Sequence, residues 1–174
     1  PGEFRRFVDF VSSSFFNQNP KLISLVRHLR KASPDFPESL LDKQVLFRVL
    51  FGKEVSFSEQ KVHDQITQLR RLLEQFLAQL SFERDTSDQS RHMLNTLSQK
   101  GMGGAFQRIY KKASRVKEQQ LAFNAGHYLF QYQLGELADG MAGKAQTRAV
   151  KADLGQTISN LDAFYLATRL RVSC

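Results

Sequence analysis

The sequence is poor in several residue types on which particular structures depend. Its 174 residues include one cysteine, Cys174, four prolines and no tryptophan. A single cysteine excludes an internal disulfide and is typical of proteins in a reducing compartment, so we predict a cytoplasmic location. No stretch approaches the roughly 18 consecutive apolar residues of a membrane-spanning helix, and the start shows no signal-peptide pattern. The sequence therefore predicts no membrane partner.

Phenylalanine, by contrast, is abundant, with 15 residues against four tyrosines. A phenylalanine side chain fills a core without needing a hydrogen-bond partner. Hydrophobic residues make up 41% of the chain and charged residues 24%, which is ordinary for a globular protein and too apolar for a disordered one. We therefore expect the phenylalanines to be packed inside the fold rather than displayed on its surface.

Apolar residues recur every three to four positions along the chain, which is the period of one face of an α-helix. The longest such pattern consists of Val62, Ile66, Leu69, Leu73, Phe76 and Leu80. It predicts the core-facing stripe of one helix of roughly 25 residues, long enough to organise a bundle. No period-two pattern of a strand is present. The predicted fold class is all-α, with an N-terminal helical bundle followed by antiparallel helical hairpins of the kind that begin an α-solenoid.

Asparagine, serine and glycine mark the predicted ends of the first helices. One apolar face runs from Phe4 to Phe15 in the first helix. Asn19, followed by a proline, is a good N-cap for the second helix. Gly52 is expected to be the C-cap of a short helix, and Ser56 has capping-box spacing to a glutamate at the start of the long one.

The later helices are separated by glycine-rich segments at 101–104 and 140–143. A predicted helix over 118–138 has two apolar faces, and a helix that is apolar on two sides must be covered on two sides. One face contains Phe123, Phe130, Leu134 and Leu137, and the other contains Leu121, Ala125, Tyr128 and Tyr132. A last helix begins near Asp153, and its predicted core stripe contains Leu154, Ile158, Leu161, Tyr165 and Leu170.

A change in composition divides the chain into two predicted regions, 1–83 and 84–174. All prolines lie at or before Pro37, and all tyrosines lie at or after Tyr110. Residues 1–83 contain 12 Lys and Arg against 10 Asp and Glu, whereas residues 84–174 contain 13 against 7. The second region therefore holds most of the positive charge. Because its last apolar helix reads as unfinished, we expect this region to be truncated at its C-terminal end.

Enzymatic sites find little support in the sequence. The segment 101–104 lacks the preceding strand and the Gly-Lys-Ser/Thr ending of a phosphate-binding loop, so a helix break is the favoured interpretation. The histidines His28, His63, His92 and His127 lie on four different predicted helices without ligand spacing to one another. No nucleophile elbow or paired carboxylate cluster is present. We therefore predict no catalytic residues, no metal site and no cofactor.

A basic helix face is the strongest candidate binding site. Arg108, Lys111, Lys112 and Arg115 are spaced at three and four residues within a segment, 100–117, that has no acidic residue. Such a stripe can neutralise phosphates and release their counterions, although an ordinary solvated face has the same pattern. Residues 144–151 form a second acid-free basic run. The helix–turn–long helix pattern over 43–82 is a weaker indication of DNA binding.

Several segments resemble a family of uncharacterised helical proteins from Bacteroidetes that are longer than this chain. The resemblance rests on Glu3 to Phe7, Ser14 to Asn19, Leu46 to Gly52, Leu69 to Phe76, and Asn160 to Leu166 with Leu170. This sequence lacks the proline that the family often has before the glycine at Gly52. The resemblance implies an α-helical, solenoid-like continuation after the last helix and implies no activity.

The sequence leaves three functional hypotheses open. The leading one is a non-enzymatic helical scaffold that binds another protein, because a two-faced helix calls for stacked hairpins and no polar catalytic cluster stands out. The second is a protein that binds nucleic acid or another anionic partner through the 108–117 face. An enzyme is the third and the least supported. The oligomeric state is left open.

Overall fold

The computed structural model of the chain describes residues 2–115, 124–144 and 153–173. These residues form helices and connecting turns, with no strand among them, so the predicted all-α class is confirmed. The helices are α1 (Gly2–Ser12), α2 (Pro20–Ala32), α3 (Glu38–Leu41), α4 (Lys43–Phe51), α5 (Glu59–Arg84), α6 (Thr86–Gln99), α7 (Gly103–Arg115), α8 (Ala125–Lys144) and α9 (Leu154–Ser173). They divide into two compact units, Pro1–Ser81 (unit 1) and Phe82–Cys174 (unit 2).

Unit 1 has a core built from one face of each of its longer helices. Phe76 of α5 is its aromatic centre, because its ring centroid lies 5.3 Å from that of Phe7 and 5.5 Å from that of Phe10. The buried apolar residues are Phe7, Val8, Val11, Leu22, Leu25, Val26, Leu46, Phe47, Leu50, Val62, Leu69, Leu72, Phe76 and Leu80. Burial of this apolar surface is the main force that holds α1, α2, α4 and α5 together.

The first helix is shorter than its sequence pattern predicts. It ends at Ser12, and Phe15, which was expected on its apolar face, is 86% exposed. The cause is the buried side chain of Asn17, whose Nδ2 donates to the carbonyl oxygens of Val11, at 2.9 Å, and Asn19, at 3.0 Å. The Asn17 amide thereby donates a hydrogen bond to one of the backbone carbonyls that have no partner within the helix at the C-terminus of α1.

The caps of the next helices are partly as predicted. Asn19 caps α2 by accepting from the backbone N–H of Lys21 at 3.1 Å, and Gly52 ends α4 with a φ of 84°. The predicted capping box at Ser56 is wrong, since α5 begins at Glu59. The side chain of Glu59 pairs instead with the Lys43 ammonium, which lowers the pKa of that carboxyl.

Only part of the predicted apolar stripe of α5 is buried in the core. Val62, Leu69 and Phe76 are buried in the core, together with Leu72 and Leu80. Ile66 and Leu73 are 44% and 39% exposed, so their assignment to the core is wrong. Because α5 runs for 26 residues and its buried face supports unit 1, it does not match the short recognition helix of a DNA-binding helix-turn-helix.

Unit 2 has a smaller core, formed by α6, α7 and α8. Phe106 of α7 is 1% exposed and stacks on Tyr110, with ring centroids 6.0 Å apart. The buried apolar residues around it are Leu94, Ala113, Leu134 and Met141, and Leu97, Ile109, Phe130 and Leu137 pack against them. The apolar side chains of α7 therefore face this core, on the side of the helix opposite its predicted basic face.

Helix α8 is continuous where a break was predicted. It runs from Ala125 to Lys144 and includes Gly140 and Gly143, so the predicted break at 140–143 is wrong. Glycine in a helix costs about 1 kcal/mol relative to alanine, which the tertiary packing of a neighbouring residue can offset. Met141, 5% exposed in the core, supplies such packing. The predicted start of this helix, at 118–123, lies outside the described residues.

Helices α8 and α9 are close neighbours, and a glycine allows their approach. A Cβ atom at Gly135 would lie 2.8 Å from Cγ2 and 3.0 Å from Cβ of Thr157. Thr157 is buried, and its hydroxyl donates to the Asp153 carbonyl oxygen at 2.9 Å. The α8 and α9 backbones are therefore so close here that position 135 has room only for the hydrogen atom of a glycine.

Candidate interaction surfaces

The basic face of α7 consists of the four residues that the sequence singled out. Arg108, Lys111, Lys112 and Arg115 are all exposed, while Phe106 and Ala113 on the other side of the helix are buried. Among the described residues these four cations form no ion pair. Like charges spaced three and four apart on a helix repel each other, and an anionic partner would relieve that repulsion.

A cleft of about 280 Å³ lies beside this basic face. Lys112 is the basic residue on its wall, and the hydroxyl-bearing residues come from the first turns of α6. The cleft is lined by Thr86, Ser87, Gln89, Ser90, Met93, Ile109, Lys112, Ala113 and Phe130. Two of the polar groups are already engaged, since Ser90 Oγ donates to the Thr86 carbonyl and Gln89 Nε2 donates to those of Phe82 and Glu83. The cleft is therefore a mainly apolar pocket that borders the basic face at Lys112.

The remaining basic residues of unit 2 add little to this face. Lys100 is exposed at the C-cap of α6. Lys117, Arg148 and Lys151 lie outside the described residues, as does the side chain of Lys144. The second basic run predicted at 144–151 is therefore not placed relative to α7.

Unit 1 carries an apolar groove of about 590 Å³ between α1, the end of α2 and α5. Its floor contains the core residues Phe7, Leu69 and Phe76. Its walls are Phe4, Leu29, Ile66, Leu73 and Leu77, and its rim carries Glu3, Ser33 and Arg70. The wall residues Ile66, Leu73 and Leu77 are 39–53% exposed, so the groove presents an open apolar surface to solvent. Exposed apolar surface of this kind is typical of interaction sites.

The helix α9 exposes the stripe that was predicted to be buried. Leu154, Ile158, Leu161 and Tyr165 are 56%, 61%, 40% and 56% exposed. The side of α9 that is buried instead contains Thr157 and Asn160. Small and polar residues therefore meet the glycine-bearing face of α8, and the larger apolar residues are left in contact with solvent.

The turn between α1 and α2 displays an aromatic side chain. The ring of Phe15 makes an edge-to-face contact with Phe16 at 4.9 Å, and Phe16 stacks on Phe10 at 4.0 Å. Phe36, Phe57 and Phe82 are also 38–48% exposed. The expectation that the phenylalanines are packed inside is therefore wrong for these side chains.

Three of the four histidines make structural contacts, each on a different helix. His28 Nε2 lies 2.8 Å from the Leu40 carbonyl oxygen, and the His92 ring packs against Phe82 with centroids 5.7 Å apart. His127 packs against Tyr128, while His63 is exposed on α5. Within residues 2–115, 124–144 and 153–173, no three His, Cys, Asp or Glu side chains form a group that could hold a metal ion.

Among the helices described, none is both long enough and apolar enough to cross a membrane. Comparisons of the chain with models of protein families, with curated proteins and with solved structures found no match. The interpretation of the chain therefore depends on its own surfaces.

Sequence reasoning located the α7 face but missed the groove and the exposed side of α9. The sequence feature that would have indicated them is that α5 and α9 each contain more apolar residues than a single stripe accounts for. In α5, Leu72 and Leu77 fall outside the predicted stripe, and in α9 Leu166 and Val172 do so. A helix with more apolar residues than one face can hold must expose some of them or cover them with a partner.

Proposed function

We propose that this chain is a non-enzymatic helical module that binds an amphipathic helix of another protein in the groove of unit 1. The observation that carries the proposal is the row of exposed apolar residues Ile66, Leu73 and Leu77 along a groove whose floor is already the protein core. A partner that occupies the groove would extend the core, which is how helix-in-groove recognition gains its affinity.

The dimensions of the groove suit a short helix. Ile66 and Leu77 are eleven residues apart on α5, which corresponds to about 16 Å along the helix axis, or about three turns. A ligand helix of that length presents anchors at i, i+3 or i+4, and i+7 on one face. Glu3 and Arg70 place one charge of each sign on the rim, so the partner needs no strong net charge.

A peptide selection tests this proposal. The probe is a library of helical peptides of about 18 residues with one apolar face, enough for five turns. Peptides selected on the wild-type chain should bind Leu77→Lys at least about tenfold more weakly, a loss of ~1.4 kcal/mol, because the substitution places a charge in the apolar groove. Gln75→Lys is the matched control, since Gln75 is exposed on α5 and does not line the groove.

Two outcomes would contradict the groove as the binding site. One is a selection that yields no peptide specific for the wild-type chain. The other is a selected peptide whose affinity is the same for Leu77→Lys and Gln75→Lys. Circular dichroism of both variants must show the wild-type helix content, so that a loss of binding reports on the groove and not on unfolding.

The exposed cations of α7, which form no ion pair with another described residue, favour a second candidate function, the binding of nucleic acid or another polyanion. Arg108, Lys111, Lys112 and Arg115 provide up to four phosphate contacts on one helix face. Each neutralised phosphate contributes about 0.9 to the slope of log affinity against log salt concentration on double-stranded DNA.

A salt titration with a labelled double-stranded DNA oligonucleotide tests the second candidate. Replacing Lys111, Lys112 and Arg115 with glutamine should weaken binding at low salt and reduce the slope by about 3. The matched control replaces Arg5, Arg27 and Lys53, three exposed cations of unit 1, with glutamine, which changes the net charge by the same amount. Equal slopes for the two triple variants would rule out the α7 face as a specific site.

A further inference from the structure

The cleft beside the basic face of α7 combines an apolar interior with one cation. Met93, Ile109 and Phe130 come from α6, α7 and α8, and Lys112 is the charged side chain among the described residues that line the cleft. Ile109 and Phe130 are half-buried and pack against the core of unit 2, so the interior of the cleft is continuous with that core. Such a lining suits a molecule that has a hydrocarbon part and a negatively charged end.

The acidic residues at the start of α6 do not neutralise Lys112. Asp88 pairs with Arg91 at 2.9 Å, and Asp85 Oδ1 accepts from the backbone N–H of Asp88 at 2.9 Å as the N-cap of α6. Neither carboxylate lines the cleft, and Lys112 has no ion-pair partner in the part of the chain that the structure describes. An anionic group on a ligand would therefore supply the countercharge, and its attraction to the ammonium is stronger beside apolar walls than in water.

The volume of the cleft limits the size of the ligand. An apolar cavity of about 150 Å³ holds a benzene-sized molecule, whereas sites for drug-sized ligands occupy ~300–1,000 Å³. At about 280 Å³, the cleft has room for a hydrocarbon chain of about eight carbons. We infer that it binds a medium-chain carboxylate, with the chain against Met93, Ile109 and Phe130 and the carboxylate at Lys112. This site belongs to unit 2 and does not depend on the groove of unit 1.

The methionines of the chain provide a way to locate the ligand. Of the three, Met93 lines the cleft, Met102 lies between α6 and α7, and Met141 is buried in the core of unit 2. With methionine labelled in its methyl carbon, a nuclear magnetic resonance titration with octanoate should shift the Met93 signal until it saturates and should leave the Met102 signal in place. The Kd should be on the order of 1 mM or below, as expected for so small a ligand.

A comparison of two adjacent lysines tests the role of the charge. Lys111→Gln and Lys112→Gln remove the same charge from exposed positions of α7, but of the two only Lys112 lines the cleft. In calorimetric titrations, Lys112→Gln should weaken octanoate binding about fivefold, and Lys111→Gln should change it by less than about twofold. The uncharged analogue 1-octanol should bind wild type and Lys112→Gln equally. A polyanion on the basic face would lose affinity in both lysine variants, so the comparison separates the two sites.

A comparison of two methionines tests the position of the hydrocarbon chain. Met93 and Met102 are each 49% exposed, and of the two only Met93 lines the cleft. Met93→Glu places a second carboxylate against the bound chain, so it should weaken octanoate binding at least about tenfold. Met102→Glu adds the same charge outside the cleft and should change the affinity by less than about twofold. Circular dichroism checks that all four variants keep the wild-type helix content.

Three results would each overturn the proposal. The first is a Met93 signal that does not move at up to ~10 mM octanoate, which is about tenfold above the expected Kd. The second is the same octanoate affinity for Lys111→Gln and Lys112→Gln. The third is the same affinity for Met93→Glu and Met102→Glu, which would mean that octanoate associates with the surface without entering the cleft.

Discussion

The helices α7 and α9 belong to the same unit but distribute their apolar residues in opposite ways. In α7 the apolar side chains share one side and are buried, and the opposite side is basic. In α9 the large apolar side chains point to solvent, and the buried side holds Thr157 and Asn160. An apolar pattern therefore identifies a helix but decides its buried face only when there is a single apolar face.

The largest expected difference between the two helices is in the cost of removing an aromatic ring. Phe106→Ala on α7 should lower the free energy of unfolding by about 3–5 kcal/mol, because the ring is buried and leaves a cavity. Tyr165→Ala on α9 should lower it by less than about 1 kcal/mol, because that ring is 56% exposed. Chemical denaturation measures both values, and similar losses would contradict the assignment of their faces.

The next effect concerns the contact between α8 and α9. Gly135→Ala should lower the free energy of unfolding by about 1–3 kcal/mol, because the new methyl group overlaps Thr157. Gly140→Ala is the matched control on the same helix. Nothing lies within 4 Å of a Cβ at Gly140, so this change should stabilise the protein by about 0.5–1 kcal/mol. Stabilisation by both substitutions would show that the two helices do not meet at Gly135.

A smaller effect is expected at the start of α9. Asp153 Oδ1 accepts from the backbone N–H of Gln156 at 3.1 Å, which caps the helix. Asp153→Ala should therefore cost about 1 kcal/mol of unfolding free energy. Asp162→Ala, which removes an exposed carboxylate from the middle of the same helix, should change it by less than about 0.5 kcal/mol. Equal effects on thermal unfolding would exclude a capping role for Asp153.

The smallest effect on stability is expected on the basic face of α7. Replacing Lys111 and Lys112 with glutamine should change the free energy of unfolding by no more than about 0.5 kcal/mol, since both side chains are exposed and glutamine is a good helix former. A loss above about 1 kcal/mol in chemical denaturation would mean that these residues support the fold, and it would weaken their assignment to a binding surface.

Much of the fold could be predicted from local patterns. The all-α class, the N-cap at Asn19, the C-cap at Gly52 and the basic face of α7 follow from short-range rules. The predicted position of Phe15 on the first helix was wrong because Asn17 ends α1 through a hydrogen bond to the Val11 carbonyl, and the spacing of apolar residues carries no information about that contact.

The errors in the later helices have a different physical origin. The glycines at 140–143 predicted a break from local propensity, and the burial of Met141 outweighs that propensity. The stripe of α9 was predicted as core because it is the most apolar side of the helix. Its neighbour α8 carries Gly135 at the contact, so the side with the small residue Thr157 approaches more closely. Tertiary shape, not hydrophobicity alone, selected the buried face.

The contact between Gly135 and Thr157 also bears on how this protein can change during evolution. Any side chain at 135 must first be given room at 157, so the two positions are not free to vary independently. A smaller residue at 157 opens a route to alanine at 135, whereas the reverse order passes through a destabilised intermediate. Among descendants of this sequence, the two positions should therefore vary together.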